Sequence, residues 1–189
     1  MNALRRLAFV ALLFGGGGHA PALRQSTVTV HLHGKGLFGS LAPDYAMYAP
    51  IATGSIDLEQ PEVDIVVHPG DLTVADQSVS DTTRHEIETA MRGPEVLDVE
   101  KYPEARFRGR EVTAISSEHY RVAGTLEMHG VSRQVAIDFA GTPTHYHGRA
   151  HVNQSDFGIR PRSFAGGLVS LEDEIEIEFD LFAQPVGTK

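Results

Sequence analysis

The chain of 189 residues carries 16 Lys and Arg against 25 Asp and Glu, a formal net charge of −9, and has neither Cys nor Trp. That length suits one domain with a real core and no need of staples, and the missing cysteines exclude disulfide scaffolds, thiolate metal centres and Cys nucleophiles together. The acidic balance argues against nucleic acid or an anionic membrane surface as the main partner.

Residues 1–22 read as a secretory signal. Arg5 and Arg6 form a basic start, Leu7–Phe14 is an apolar run, and small residues lead to Ala20-Pro21-Ala22. The run is far too short for a permanent membrane anchor, and cleavage is expected after Ala22. The expectation is a periplasmic or secreted protein, not membrane-spanning, with its domain over residues 23–189.

Beyond the leader, alternation of period two dominates, the mark of strands with one wet and one dry face. Val28, Val30 and Leu32 alternate with Thr27, Thr29, His31 and His33, and further strands are expected over Ile51–Leu58, Val63–Val67, Leu72–Val74 and Ala105–Ile115. In mid-chain the pattern breaks. Ser80 is a helix cap, Ile87, Ala90 and Met91 recur at helical spacing, and Gly93-Pro94 ends the segment. A second helical turn is expected through Glu95–Val99, before Tyr102-Pro103.

Alternation then resumes. Val122, Gly124, Leu126 and Met128 share one face, His129-Gly130 makes a tight turn, and Val135, Ile137 and Phe139 follow. Tyr146, Gly148, Ala150 and Val152 alternate with His145, His147, Arg149 and His151. In the last strand Ile175, Ile177, Phe179 and Leu181 face one way and Glu174, Glu176, Glu178 and Asp180 the other. A helix would scatter those acids, with like charges repelling at i,i+4. The fold class is therefore all-β with a helical insert, an antiparallel barrel or sandwich; a barrel of about eight strands would cover the apolar faces by closing on itself.

Four segments in order resemble the YceI family of lipocalin-like polyisoprenoid-binding periplasmic proteins. They are Val96–Phe107 (VLDVEKYPEARF), Tyr120–Arg133 (YRVAGTLEMHGVSR), Asn153–Ile159 (NQSDFGI) and the alternating final strand. The helix segment Thr83-Arg84-His85-Glu86-Ile87 matches the family pattern only in part. The resemblance implies an antiparallel lipocalin-like eight-stranded β-barrel with one helix capping an end. It also implies carriage or sequestration of a long-chain lipid or isoprenoid ligand in an apolar interior, without catalysis and without a cofactor.

On that reading the apolar lining comprises Val122, Leu126, Met128, Val135, Ile137, Phe139, Ile175, Ile177, Phe179 and Leu181, and the head-group candidates are Tyr102, His129 and Arg133. Gly124 and Gly148 would leave space on the inward faces, and Met91 and Met128 would adapt to a flexible chain. The same apolar faces suit a packed core. The alternative is therefore a structural or partner-binding envelope barrel, with an exposed patch among Leu37, Phe38, Tyr45, Met47 and Tyr48; a homodimer is left open.

The ten histidines invite a metal reading, because His145, His147 and His151, like His31 and His33, share strand faces where two imidazoles at i,i+2 could hold zinc. Solvated histidines are the preferred reading, with no metal assigned and a His-dependent metal binder as the remaining alternative. No nucleophile elbow, zinc-protease motif or phosphate loop is present. Asp98 with Glu100, or Asp71 with His68, could be drawn as acid/base pairs but read better as solvated or capping groups. Asp156, in the turn Ser155-Asp156-Phe157-Gly158, is expected to accept backbone N–H bonds.

Overall fold

The computed structural model describes residues 20–35, 45–58, 60–164 and 169–184, so most of the expected leader lies outside the described residues. Its strands are β1 (Thr27–Leu32), β2 (Gly34–Lys35), β3 (Tyr45–Asp57), β4 (Glu62–Val67), β5 (Thr73–Val74), β6 (Ala105–Ser116), β7 (His119–Met128), β8 (Val131–Thr142), β9 (His145–Asn153), β10 (Ser163–Phe164), β11 (Val169–Leu171) and β12 (Glu174–Phe182). One helix, α1, covers Asp81–Arg92.

Hydrogen bonding runs β1-β12-β9-β8-β7-β6-β4-β3, and β3 returns to β1, closing an eight-stranded antiparallel barrel. The short β5 joins the edge of β3 at Met47 and Tyr48, and β2, β10 and β11 form a small separate sheet. Inward positions are the apolar ones, and one continuous core runs from Val28 and Met47 through Phe107, Val122 and Phe139 to Leu181.

The acidic face of β12 finds its complement on both neighbours. Glu176 stands between His31 and His151, Glu178 between Thr29 and Arg149, and Asp180 between Thr27 and His147. Opposite charges across strands stabilise a sheet modestly, so a row of acids that would repel one another in isolation becomes tolerable.

The helix begins where expected, with Ser80 Oγ accepting from the Thr83 amide at 3.2 Å. None of its residues is fully buried. Ile87 and Met91 pack against the core, and a charged stripe adds hydrogen bonds: Arg84 donates to the carbonyls of Val74 and Asp76, Glu88 accepts from the Val74 amide at 3.0 Å, and Arg92 donates to Gly70 and Leu72 at 2.9 and 3.1 Å. Spacing i, i+4, i+8 places the three on one face, where they satisfy the open edge of β5. The stretch after Gly93 differs from expectation. It forms turns instead of a second helical turn, with Asp98 at φ +45° and its amide bonded to the Gly93 carbonyl at 2.9 Å.

Other expectations are also corrected. Met47 is 1 % exposed because it lies on the inward face of β3, so it cannot belong to a surface patch; Tyr48 beside it is 42 % exposed, and Leu37 and Phe38 lie outside the described residues. The carboxylate that accepts a backbone amide at the 3-10 turn Gln154–Phe157 is Asp173, from Ser155 at 2.8 Å, whereas Asp156 accepts from Asn153 Nδ2 at 3.4 Å. Pro21 and Ala22, at the end of the expected leader, hydrogen-bond to the barrel, their carbonyls accepting from Ile56 at 3.1 Å and Gln184 at 3.0 Å.

Candidate functional site

The barrel is packed unevenly along its axis. At the end bearing the hairpins Asp57–Glu62, Ser116–His119 and Thr142–His145, the inward side chains Val63, Val122, Ile137, Phe139 and Leu181 are at most 1 % exposed. Toward the other end, inward residues of the same strands become half-buried: Val30 and Leu32 on β1, Val67 on β4, Leu126 and Met128 on β7, Val135 on β8. That end carries α1, the turn after β7 and the 3-10 turn Gln154–Phe157. The first end is fully packed; the second mixes buried residues, Met47, Val152, Phe157 and Ile175 among them, with this partly covered apolar lining.

The packed half leaves no room at its glycines. A methyl group on Gly148 would lie 2.4 Å from the Phe139 ring, and one on Gly109 would lie 2.4 Å from Val122 Cγ1. Gly124 backs onto the β6 main chain, where a Cβ would stand 2.3 Å from the Arg108 carbonyl oxygen. The space expected at Gly124 and Gly148 is therefore filled by the protein itself, and Phe139 extends the packing to Phe179 at a ring separation of 6.4 Å. Of the ten expected lining residues, Val122, Ile137, Phe139, Ile175, Ile177, Phe179 and Leu181 are buried, while Leu126, Met128 and Val135 are only partly covered.

The wall of the less packed half is open on one side. Strands β8 and β9 pair only between Asp138–Thr142 and His145–Arg149. Below that point they separate around an open cleft of about 530 Å³. Val135, Ala150, Val152 and Phe157 give the cleft an apolar floor, and Arg121, Arg133 and Arg149 surround it with cationic groups. Arg121 is bound to Asp138 through two hydrogen bonds of 2.7 and 2.9 Å, which hold the Asp138 carboxyl below its ordinary range. Arg149 reaches Glu178 and Glu176, and its hydrogen bond likewise depresses the Glu178 carboxyl, with His31 assisting. Arg133 instead hydrogen-bonds the Ser132 carbonyl at 3.2 Å and points its charge at solvent.

The three head-group candidates divide. Tyr102 and His129 meet, with ring centroids 4.5 Å apart, and His129 Nδ1 lies 3.0 Å from the Phe157 carbonyl oxygen. The turn that brings them together has His129 at φ +52° and Gly130 at φ +72°, as a two-residue hairpin of matching twist demands. A Cβ at Gly130 would strike the Tyr102 ring at 2.6 Å. Thus these two fasten the β7–β8 turn to the 3-10 turn, whereas Arg133 lies apart, on the cleft. Residues missed by sequence reasoning are Arg84, Glu88 and Arg92, whose spacing was visible, and Asp173 and Asp180, whose partners are distant in the chain.

A sequence profile for the YceI-like domain matches residues 25–183. The chain belongs to the YceI-like family. A UPF0312 protein of Pseudomonas syringae pv. tomato is 29 % identical over 139 residues, covering 68 % of this chain and 67 % of that protein. Among solved structures, this YceI-like chain is similar to a polyisoprenoid-binding domain from Saccharophagus degradans, with a TM-score of 0.60, 12 % identity, and coverage of 88 % of this chain and 100 % of that one. It is similar also to Burkholderia cenocepacia BcnA, with a TM-score of 0.58, 17 % identity, and coverage of 84 % and 96 %. The fold is thus shared at identities too low to carry more than the fold. Among the described residues, no helix is long and apolar enough to cross a membrane.

Proposed function

We propose that this YceI-like protein is an exported, non-enzymatic carrier or sequestering protein for a long-chain amphiphile of the isoprenoid class. Its tail would lie in the less packed half of the barrel and its polar end at the cleft between β8 and β9. The observation that carries the reading is the gradient along β7 and β8, from buried Val122 and Phe139 to partly covered Leu126, Met128 and Val135, beside a gap in the wall. Each methylene moved from water onto such a lining gains about 0.8 kcal/mol, so a modest length of tail suffices without any polar contact. Arg133 is the cation best placed for an anionic or strongly polar end group. Family membership and a polyisoprenoid-binding structural neighbour support the ligand class. A leader over residues 1–22 supports a periplasmic or secreted location.

The test is native mass spectrometry of the purified full chain, with organic extraction of what co-purifies. The expected result is an adduct of apolar chain type, lost when Leu126→Trp and Val135→Trp fill the less packed half. Protein that is folded, free of adduct and unable to take up a C50–C60 isoprenoid alcohol would overturn the reading.

A further inference from the structure

The histidines of β9 have no place in lipid carriage, yet two of them converge on one carboxylate. His145 Nε2 lies 2.6 Å and His147 Nδ1 3.3 Å from the same oxygen, Asp180 Oδ1. All three ligand-type atoms fall within 4.8 Å of one another. The arrangement follows from register: His147 pairs directly with Asp180 across β9 and β12, and His145 stands two residues on along the same outward face.

We propose that His145, His147 and Asp180 form a surface site for a first-row divalent cation of the zinc class, separate from the barrel interior. Two imidazoles and a carboxylate are a donor set suited to zinc and its neighbours. Ligand atoms around a tetrahedral zinc with bonds of about 2.0–2.1 Å stand about 3.3 Å apart. The His147–Asp180 edge already has that length, and the His145–Asp180 edge must open by about 0.7 Å, within the reach of side-chain rotation. Without metal the two nitrogens donate their protons toward the Asp180 carboxylate; binding needs both bare, so with zinc bound each ring carries its single proton on its other nitrogen, Nδ1 of His145 and Nε2 of His147. His145 is preset by stacking on Phe182, 4.2 Å away and 9° from parallel, and its ring meets the His147 ring at 4.3 Å. Beside His147 and Asp180 an open cleft of about 550 Å³, bordered by Thr27 and Thr29, leaves the fourth position to water or an added ligand.

A second group on the same face, His31 with Glu176 and Glu178, has comparable spacing. It is a poorer cation site because Arg149 already occupies it, with Nη2 2.5 Å from Glu178 and Nε 3.4 Å from Glu176. No arginine or lysine forms an ion pair with Asp180 among the described residues.

The test is calorimetric titration of Zn²⁺ into the full chain at neutral pH, with thermal melting in its presence and absence. The wild-type protein should take up one zinc and melt higher with it, since a ligand bound only by the folded state stabilises it. His147→Ala and Asp180→Asn should weaken uptake tenfold or more and abolish the melting shift. His147 has a side chain 66 % exposed, so its removal leaves the core intact. His151→Ala, on the same face but beside Glu174 and Glu176, should bind zinc within twofold of wild type. Absence of zinc uptake by the wild type, unchanged uptake by both ligand variants, or an equal loss in His151→Ala would each overturn the site.

Discussion

Val135 and Phe139 are four residues apart on β8, both directed inward, yet they belong to different regimes. Phe139 fills the space over Gly148 and meets Phe179, while Val135 stands where β8 has parted from β9 and remains only partly covered. The difference teaches that a closed barrel does not have to be uniformly packed. The half containing Phe139 supplies the folding energy, and the half containing Val135 and Leu126 can then retain an incompletely covered apolar surface. Filling both halves would gain stability and remove the room that a guest requires.

The largest effect expected from this contrast is in core truncation. Phe139→Ala should cost about 3–5 kcal/mol, as removal of a fully buried phenylalanine does, whereas Leu126→Ala should cost only about 1–2 kcal/mol because its side chain is already partly in water. Urea denaturation of the two variants measures both. Equal losses would erase the distinction between the halves and, with it, the argument for a guest site.

A second contrast sets the helix against the barrel. The barrel is held by buried apolar side chains and a closed ladder, but α1 buries no residue fully and joins the partly covered Ile87 and Met91 to hydrogen bonds from Arg84, Glu88 and Arg92. Charge-assisted hydrogen bonds are worth about 1.5–3 kcal/mol each. Arg84→Ala should therefore speed amide exchange in α1 by roughly 10- to 100-fold while barrel amides keep their protection. Equal acceleration throughout would mean that the helix and barrel open as one unit.

Much of the fold was legible because alternation reports which face a residue occupies. It placed the inward sets of β7, β8, β9 and β12 correctly, and Ser80 with Gly93 bounded the helix. Alternation carries no information about register or neighbours. Gly148 was correctly turned inward, but the Phe139 ring that fills its space comes from the cross-strand pair Phe139–Gly148. Asp180 lies more than thirty residues from His145 and His147, so nothing local could announce their convergence. The parting of β8 from β9 is likewise invisible, since both strands alternate faithfully on either side of it. The helix clamp was missed for another reason: the apolar positions Ile87 and Met91 do pack against the core, but Arg84, Glu88 and Arg92 bind main-chain groups that only the fold brings near.

The smallest effect concerns the clamp at the border of the cleft. Asp173, just before β12, accepts from the Ser155 hydroxyl at 2.5 Å and the Ser155 amide at 2.8 Å, and these bonds hold its carboxyl below the ordinary range. A depressed carboxyl stabilises the fold above its unfolded-state pKa, and that contribution is lost as pH falls through the folded-state value. Asp173→Asn should therefore cost about 1 kcal/mol at neutral pH and flatten the acid limb of the stability curve below about pH 4, the ordinary range of an aspartate in the unfolded chain. Because Ser155 belongs to the 3-10 turn that ends at Phe157 on the cleft floor, amides of that turn should exchange faster in the variant at neutral pH and converge with wild type in acid. A variant that left both the acid limb and the turn unchanged would show that the Ser155–Asp173 contact carries no weight in holding this side of the cleft.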